Sequence, residues 1–263
     1  MQPQPESPFS SVVGLGPLKS EHLLAGKGKW LSLVVGVVCL LAVPALGLLA
    51  LYLIYTDYNR RGSLHMFDSA IAPLVAAGIA LLIAVPTLFS VWRNWTLAAA
   101  LYENGFAYTD RKGLQQTRWE QIEAVWQNVT KHYYNGIYTG TTHLYTVQAQ
   151  GNVKIKLDDR LAKVEELGKE IQRGAANTLF PRYWQALQSG QRVTFGPLAL
   201  DSQGIYSGKK TLSWEEIKGI KIDRGVISVK KEKGWFNWAT ATVPQIPNFY
   251  IFYELIGRLT KVE

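Results

Sequence analysis

Side chains able to do acid–base, nucleophilic or metal chemistry are few in this 263-residue chain, and they do not fall into reactive patterns. The 4 histidines are His22, His65, His132 and His143. None belongs to an HExxH motif, and a zinc site requires three or four ligands. Only His132 and His143, which flank one hairpin tip, are placed to approach each other. The single cysteine, Cys39, lies within an apolar run, so neither an intrachain disulfide nor a cysteine metal site can form. The carboxylate pairs Asp158-Asp159, Glu165-Glu166 and Glu215-Glu216 are adjacent in sequence. Adjacent side chains diverge on a strand and on a helix, which suits helix starts and solvated faces better than paired acid–base work. No Gly-x-Ser-x-Gly, phosphate-binding loop or dinucleotide fingerprint occurs. The expectation is a non-enzymatic chain with no catalytic residues, no metal and no cofactor.

Binding chemistry is better represented. Between Lys209 and Lys233 there are eight Lys/Arg and four Asp/Glu. Lys209, Lys210, Lys230, Lys231 and Lys233 could form a patch for anionic headgroups, with Trp235 or Phe236 entering the interface. The expectation is the opposing one, in which Trp235 and Trp238 pack in a core and the lysines are ordinary solvation, because buried aromatics are common in small β-domains. A second cluster is His132-Tyr-Tyr-Asn-Gly-Ile-Tyr138. Asn135-Gly136 is a strong hairpin-turn dipeptide. Tyr133, Tyr134 and Tyr138 crowd that tip, either exposed for a protein or membrane contact or folded back on a neighbouring domain. The net charge of +8 is partly explained by lysines and arginines flanking apolar runs, so nucleic acid is not an expected partner.

Two uncharged apolar runs, residues 31–55 and 70–92, define the scaffold that must carry these clusters. Each exceeds the roughly 20 residues needed to cross a ~30 Å hydrocarbon core. Trp30, Tyr52, Tyr55, Trp92 and Trp95 stand at their ends, as interfacial aromatics do. The first run is too long for a cleaved signal segment and is followed at once by another. The flanks carry Lys19, Lys27, Lys29, Arg93, Arg111 and Lys112, against Arg60 and Arg61 in the connecting loop. By the positive-inside rule both termini and all soluble parts are expected in the cytoplasm, as a multi-pass inner (plasma) membrane protein. Residues 1–29, rich in Pro, Ser and Gly, read as a disordered cytoplasmic lead to the hairpin at 30–93.

Beyond the hairpin the sequence repeats. Leu101-x-x-x-Gly105 leads to Trp119-Glu-Gln-Ile122, and Leu200-x-x-x-Gly204 leads to Trp214-Glu-Glu-Ile217. Gly105 and Gly204 follow polar turn residues and are expected to supply positive φ. Tyr145–Ala149 and Val153–Leu157 alternate apolar and polar residues around Gly151-Asn152, which predicts a hairpin. Val226–Val229 and Trp238–Val243 predict another. Leu161, Val164, Leu167 and Ile171 predict a helix face beginning at Asp158-Asp159, and Phe249, Phe252, Ile256 and Leu259 predict a second. A short helix from Pro181 is expected to bridge the two.

Six or seven short antiparallel strands closed by one helix, twice over, resembles the pleckstrin-homology (PH) superfold in its bacterial form. Two spans followed by tandem PH-like domains, each with Trp-Glu-x-Ile, resembles a bacterial membrane family known only as a domain of unknown function. The resemblance covers roughly residues 95–263 and implies an α+β membrane protein. Its first PH-like domain would be 95–175, its helical linker 176–190 and its second domain 191–263. It implies a binding role, toward anionic lipid headgroups, a peptide or another membrane protein, with homo-oligomeric assembly as the alternative; fold likeness alone does not fix function.

Overall fold

The computed structural model describes residues 8–260, and the chain divides into two compact units, one helical and one mostly β. The helical unit spans Leu23–Leu97 together with Asp110–Lys112. It contains α1 (Gly26–Arg61) and α2 (Ile71–Arg93). Helix α1 outruns the apolar stretch at both ends because nothing breaks it before Gly62, whose φ of 80° stops it. Leu88 of α2 packs directly on Gly36 of α1, where a Cβ would come within 2.7 Å of the leucine side chain. The connecting loop is closed by the Ser69 N–H donating to the Asp57 carboxylate at 3.2 Å. Protein buries only 11% of the most apolar stretch of α1 and 17% of that of α2, so both helices present long apolar surfaces that the rest of the described chain leaves uncovered. By length and composition both are able to cross a membrane.

The other unit begins before the helices. Strand β1 (Leu18–Leu23) is a hydrogen-bonded neighbour of β2 (Ala98–Tyr102), followed in the same sheet by β3 (Gly105–Asp110) and β4 (Gly113–Arg118). Phe9 and Leu15 are buried against Ala98, Ala100, Tyr102 and Ala107. The expected disordered lead is therefore corrected from residue 8 onward; residues 1–7 lie outside the described residues. Composition pointed to disorder because Pro, Ser and Gly dominate, while Phe9, Leu15 and the strand residues supply the apolar anchors.

A 3-10 turn at Trp119–Gln121 leads into a second sheet of β5 (Ile122–Tyr134), β6 (Ile137–Ala149) and β7 (Val153–Asp158), then α3 (Val164–Gln188). The same order follows again: a four-stranded sheet of β8 (Val193–Phe195), β9 (Leu198–Leu200), β10 (Gly204–Ser207) and β11 (Lys210–Ser213), a 3-10 turn at Trp214–Glu216, and a three-stranded sheet of β12 (Ile217–Asp223), β13 (Val226–Lys231) and β14 (Asn237–Thr242). It ends in α4 (Phe249–Leu259). The mixed α+β class and the antiparallel sheets agree with the sequence.

Local chemistry explains where the sequence reading holds and where it fails. Tyr145, Val147, Ala149, Ile155 and Leu157 are all buried, as period-2 alternation requires, and Gly151 (φ 77°) and Asn152 (φ 60°) make the turn. Gly105 and Gly204 do not adopt positive φ. They are needed for close approach instead: a Cβ on Gly105 would collide with the Thr117 carbonyl, and one on Gly204 with the Leu212 carbonyl, each two residues before the repeated tryptophan. Helix α3 starts at Val164 rather than at Asp158, behind Lys163 in a left-handed conformation. It runs unbroken through Pro181, so the expected separate bridging helix is the second half of one rod. Helix α4 buries Ile251, Phe252, Leu255 and Ile256, a stripe rotated from the expected one, and leaves Phe249 half-buried.

Candidate binding surfaces

The clearest candidate is the loop between β13 and β14. Trp235 is 101% exposed and Phe236 89% exposed, which overturns the expectation that Trp235 packs in a core; Trp238, inside β14, is half-buried. The loop cannot hide its rings because Lys230 pairs with Asn237 across the ladder and the six intervening residues bulge outward. The five lysines do not act as one group. Lys231 is held by Glu216 at 3.0 Å, which pulls that carboxyl below its usual range, with Ser213 as the second hydrogen-bond donor. Lys209 and Lys210 occupy the β10–β11 turn, about 10 Å along β11 from Ser213, where the turn carrying Glu216 begins. Lys230 is the last residue paired with β14 before the loop, and Lys233 lies within it.

Below that loop the outer face of the β12–β14 sheet forms a concavity of about 410 Å³ that includes Lys221, Asp223, Arg224, Ser228, Lys230 and Asn237. Lys221 faces Ser228, and Lys230 faces Asn237, in neighbouring strands. Arg224 stands at the β12–β13 turn with φ 48°, followed by Gly225 at 77°. The sequence reading passed over Lys221 and Arg224 because it grouped lysines by run rather than by strand face; their alternation with Ile220, Ile222 and the turn glycine was the available signal.

The second cluster is exposed rather than folded back. Tyr133, Tyr134, Ile137 and Tyr138 are 62%, 71%, 70% and 55% exposed at the end of a two-stranded ribbon, β5–β6, whose outer part has no buried residue beyond Val125 on β5 and before Tyr145 on β6. Asn135 (φ 48°) and Gly136 (φ 81°) make the tight turn as expected. Tyr133 and Tyr138 meet edge to face at 5.9 Å.

A larger groove of about 550 Å³ separates α3 from α4 and is lined by Lys169, Arg173, Phe180, Tyr250, Glu254 and Arg258, among others. Its cations are engaged already: Lys169 with Glu165 at 2.6 Å, Arg173 with Glu170 at 2.6 Å, and Arg258 with Glu254 at 2.9 Å. The Arg258 guanidinium also lies over the rings of Phe180 and Trp184, at 4.7 and 5.2 Å. Larger volume does not make it the better anion site, because its charge is internally neutralised.

The histidines and carboxylates weighed for chemistry make local hydrogen bonds. His132 donates to or accepts from Thr142 at 2.7 Å and His143 contacts Asp159 at 2.9 Å; their positions differ by three along β5 and β6, and they do not pair with each other. Asp158 is clamped by Arg160, whose hydrogen bonds outweigh the burial that would otherwise raise its pKa. Asp201 is likewise lowered: burial opposes, but hydrogen bonds from Tyr206, the Gln203 and Gly204 N–H groups and Arg192 prevail. No group of three or more metal-binding side chains occurs among the described residues. Trp119 and Trp214 are half-buried clamps. Their indole N–H groups donate to the Glu103 and Asp201 carbonyls at 2.8 and 3.0 Å, and their own backbone N–H groups donate to Asn104 and Gln203.

Sequence reasoning marked Pro247-Asn248 as the start of the last helix but missed what the Asn248 side chain holds. Asn248 is 6% exposed, sits in a left-handed conformation (φ 52°) just before α4, and joins the two sheet-and-helix segments. Its backbone N–H donates to the Val125 carbonyl at 2.8 Å while its Oδ1 accepts from the Val125 N–H at 2.9 Å. Its Nδ2 donates to the Glu123 carbonyl at 3.1 Å and to the Tyr183 hydroxyl at 3.2 Å. The asparagine thus stands in for a missing strand on the open edge of β5.

These features define a mixed α+β protein with two membrane-length apolar helices and antiparallel sheets bearing exposed aromatic loops. Residues 14–263 match a family of unknown function, DUF6585, and the chain belongs to that family. No curated protein matches it.

Proposed function

We propose that this chain is an integral inner-membrane protein of bacterial type. In this reading a two-helix hairpin tethers tandem PH-like modules in the cytoplasm, and the modules serve as a non-enzymatic binding platform at the membrane surface. The tandem reading is supported by the recurring order of four strands, Trp-Glu turn, three strands and helix, and by the matching tryptophan hydrogen bonds. Membrane residence is supported by the uncovered apolar faces of α1 and α2. The observation that carries the function is the fully exposed Trp235-Phe236 pair beside Lys233, an arrangement suited to an interface where rings enter the acyl boundary and ammonium groups stay with headgroups.

The test uses the full chain with Cys39→Ser and Gly234→Cys, which keeps both rings and places a polarity-sensitive dye between Lys233 and Trp235. No contact closer than 4.0 Å awaits a Cβ at Gly234. Reconstituted into bilayers, the dye is expected to shift to the blue and to be quenched by lipid-borne quenchers. In intact cells the same cysteine should resist an impermeant maleimide that labels Ser63→Cys in the interhelix loop. A dye that stays water-exposed in every bilayer refutes the surface-contact role; labelling at 234 and not at 63 refutes the orientation. The exposed tyrosine tip of β5–β6 favours one second reading, self-assembly of copies through that tip.

A further inference from the structure

We infer that the outer face of the β12–β14 sheet is a headgroup site for anionic phospholipid; this rests on the membrane-surface reading above and adds a chemical class and a set of residues to it. Lys221, Arg224 and Lys230 converge on one concavity of about 410 Å³. Among the described residues none of the three has an acidic partner within ion-pair distance, unlike the cations of the larger groove between α3 and α4. Asp223 lies on the same face, but one carboxylate against three cations leaves the lining with a net positive charge. Unpaired cations held together repel one another, and a phosphate relieves that repulsion while accepting hydrogen bonds from them.

The neutral groups fit the same ligand. Ser228, opposite Lys221, offers a hydroxyl, and Asn237, opposite Lys230, offers an amide N–H. Arg224 supplies a planar fork from the β12–β13 turn, where its left-handed backbone fixes the start of the side chain. From the turn at Val226 to Lys230 the face runs about 13 Å along β13, long enough for a glycerophosphate headgroup. The feature that selects a lipid over a free phosphate is the adjoining loop. Lys230 is both a lining residue and the last paired residue before the loop, so the Trp235-Phe236 wedge projects from the rim of the cationic pocket. A soluble anion would need the cations and have no use for two uncovered rings; an anionic lipid uses both.

The test is the dye-labelled full chain described above, in zwitterionic bilayers and in bilayers with added anionic phospholipid, with and without Lys221→Gln/Arg224→Asn/Lys230→Gln. Asparagine is chosen at 224 because it tolerates the left-handed backbone. Anionic lipid should produce the blue shift and lipid quenching, salt should weaken them, and the triple variant should lower the docked-to-free ratio on the order of a hundredfold, about fivefold per charge removed. Lys221→Arg/Lys230→Arg should retain docking, and an unchanged melting temperature in the triple variant shows the fold intact. Competition by soluble inorganic phosphate as strong as that by anionic vesicles would overturn the lipid assignment in favour of a free anion. Docking that is equal in both bilayers, or equal in wild type and triple variant, overturns the inference while leaving the surface-contact role standing. Absence of docking in both bilayers overturns that role itself.

Discussion

Asn248 concentrates more of the tertiary hydrogen bonding than any residue the sequence drew attention to. An alanine there removes an acceptor from the buried Val125 N–H and donors from two oxygens, and it keeps a Cβ in the left-handed region. Each unsatisfied buried group costs about 1–3 kcal/mol. Asn248→Ala is therefore expected to destabilise the protein by about 2–4 kcal/mol in denaturant melts. Asn248→Gly relieves the backbone strain but not the lost bonds, and should recover less than about 1 kcal/mol of that. If alanine melts within about 0.5 kcal/mol of wild type, as a typical surface substitution does, the asparagine does not clasp β5 to α4. A lone Asn after a proline looks like a helix start in sequence, and it is one; that its side chain also replaces a strand partner 123 residues away has no local signature. Trp119 and Trp214 show the converse. Their repetition was visible, yet their role as half-buried clamps, donating to carbonyls across the turn, was not.

At the scale of elements, periodicity recovered what is local. The alternation in β6 and β7 and the Val164, Leu167 and Ile171 stripe of α3 reproduce the buried faces, because a two-residue or 3.6-residue period is a direct image of the surface each element covers; Leu161 is buried too, but ahead of the helix. It failed where partners come from elsewhere in the chain. Strand β1 was missed because its pairing partner lies beyond both long helices, and the unbroken α3 was missed because Pro181 normally ends a helix. Gly168 and Gly174 of α3 are placed by the same nonlocal packing: a Cβ on Gly168 would collide with the Tyr145 ring, and one on Gly174 would lie 2.7 Å from the Trp119 ring. The ring of Tyr145 is buried deeply enough that its phenol is pushed up to about 12, with Glu165, Tyr250 and Asp159 adding to the effect. The β5–β6 tip makes the opposite case, an element whose large side chains stay exposed. Replacing Tyr133, Tyr134, Ile137 and Tyr138 with threonine keeps the Asn135-Gly136 turn and β propensity. The melting temperature should therefore fall by less than about 4 °C, the shift that about 1 kcal/mol produces in a chain of this size. If copies of the chain assemble through this tip, light scattering of the detergent-solubilised protein should drop to the monomer mass in the variant. An unchanged mass assigns assembly elsewhere.

For the whole molecule, the informative fact is where the helices enter the chain. Pro17 accepts from the Glu103 N–H and Leu15 from the Asn104 N–H, so β1 runs antiparallel to β2 and its end at Leu23 lies beside the start of β2 at Ala98. The helical hairpin is thus an insertion between two adjacent strands of one sheet, not a segment preceding the β unit. The corresponding connection in the later four-stranded sheet, between β8 and β9, is the two-residue turn Gly196-Pro197, with Gly196 at φ 63°. Two consequences follow from connectivity alone. Both ends of the hairpin continue into neighbouring strands of one sheet, which requires them to be on the same side of any membrane the helices cross; in the proposed orientation the charge bias of the flanks selects that side. The β unit also owns all of its hydrogen-bonded strand pairs and its own buried apolar cluster without the helices. Excising residues 24–97 and joining β1 to β2 through a short Asn-Gly turn is accordingly expected to yield a water-soluble protein that unfolds cooperatively and keeps native-like β circular dichroism. Omitting residues 8–23 from the same chain removes the edge strand and the Phe9 and Leu15 anchors, and should lower its stability by several kcal/mol, since each buried large apolar side chain contributes about 1.5–3 kcal/mol. A joined chain that aggregates, or one indifferent to loss of residues 8–23, would show that the helices are part of the β unit's folding rather than an insertion into it.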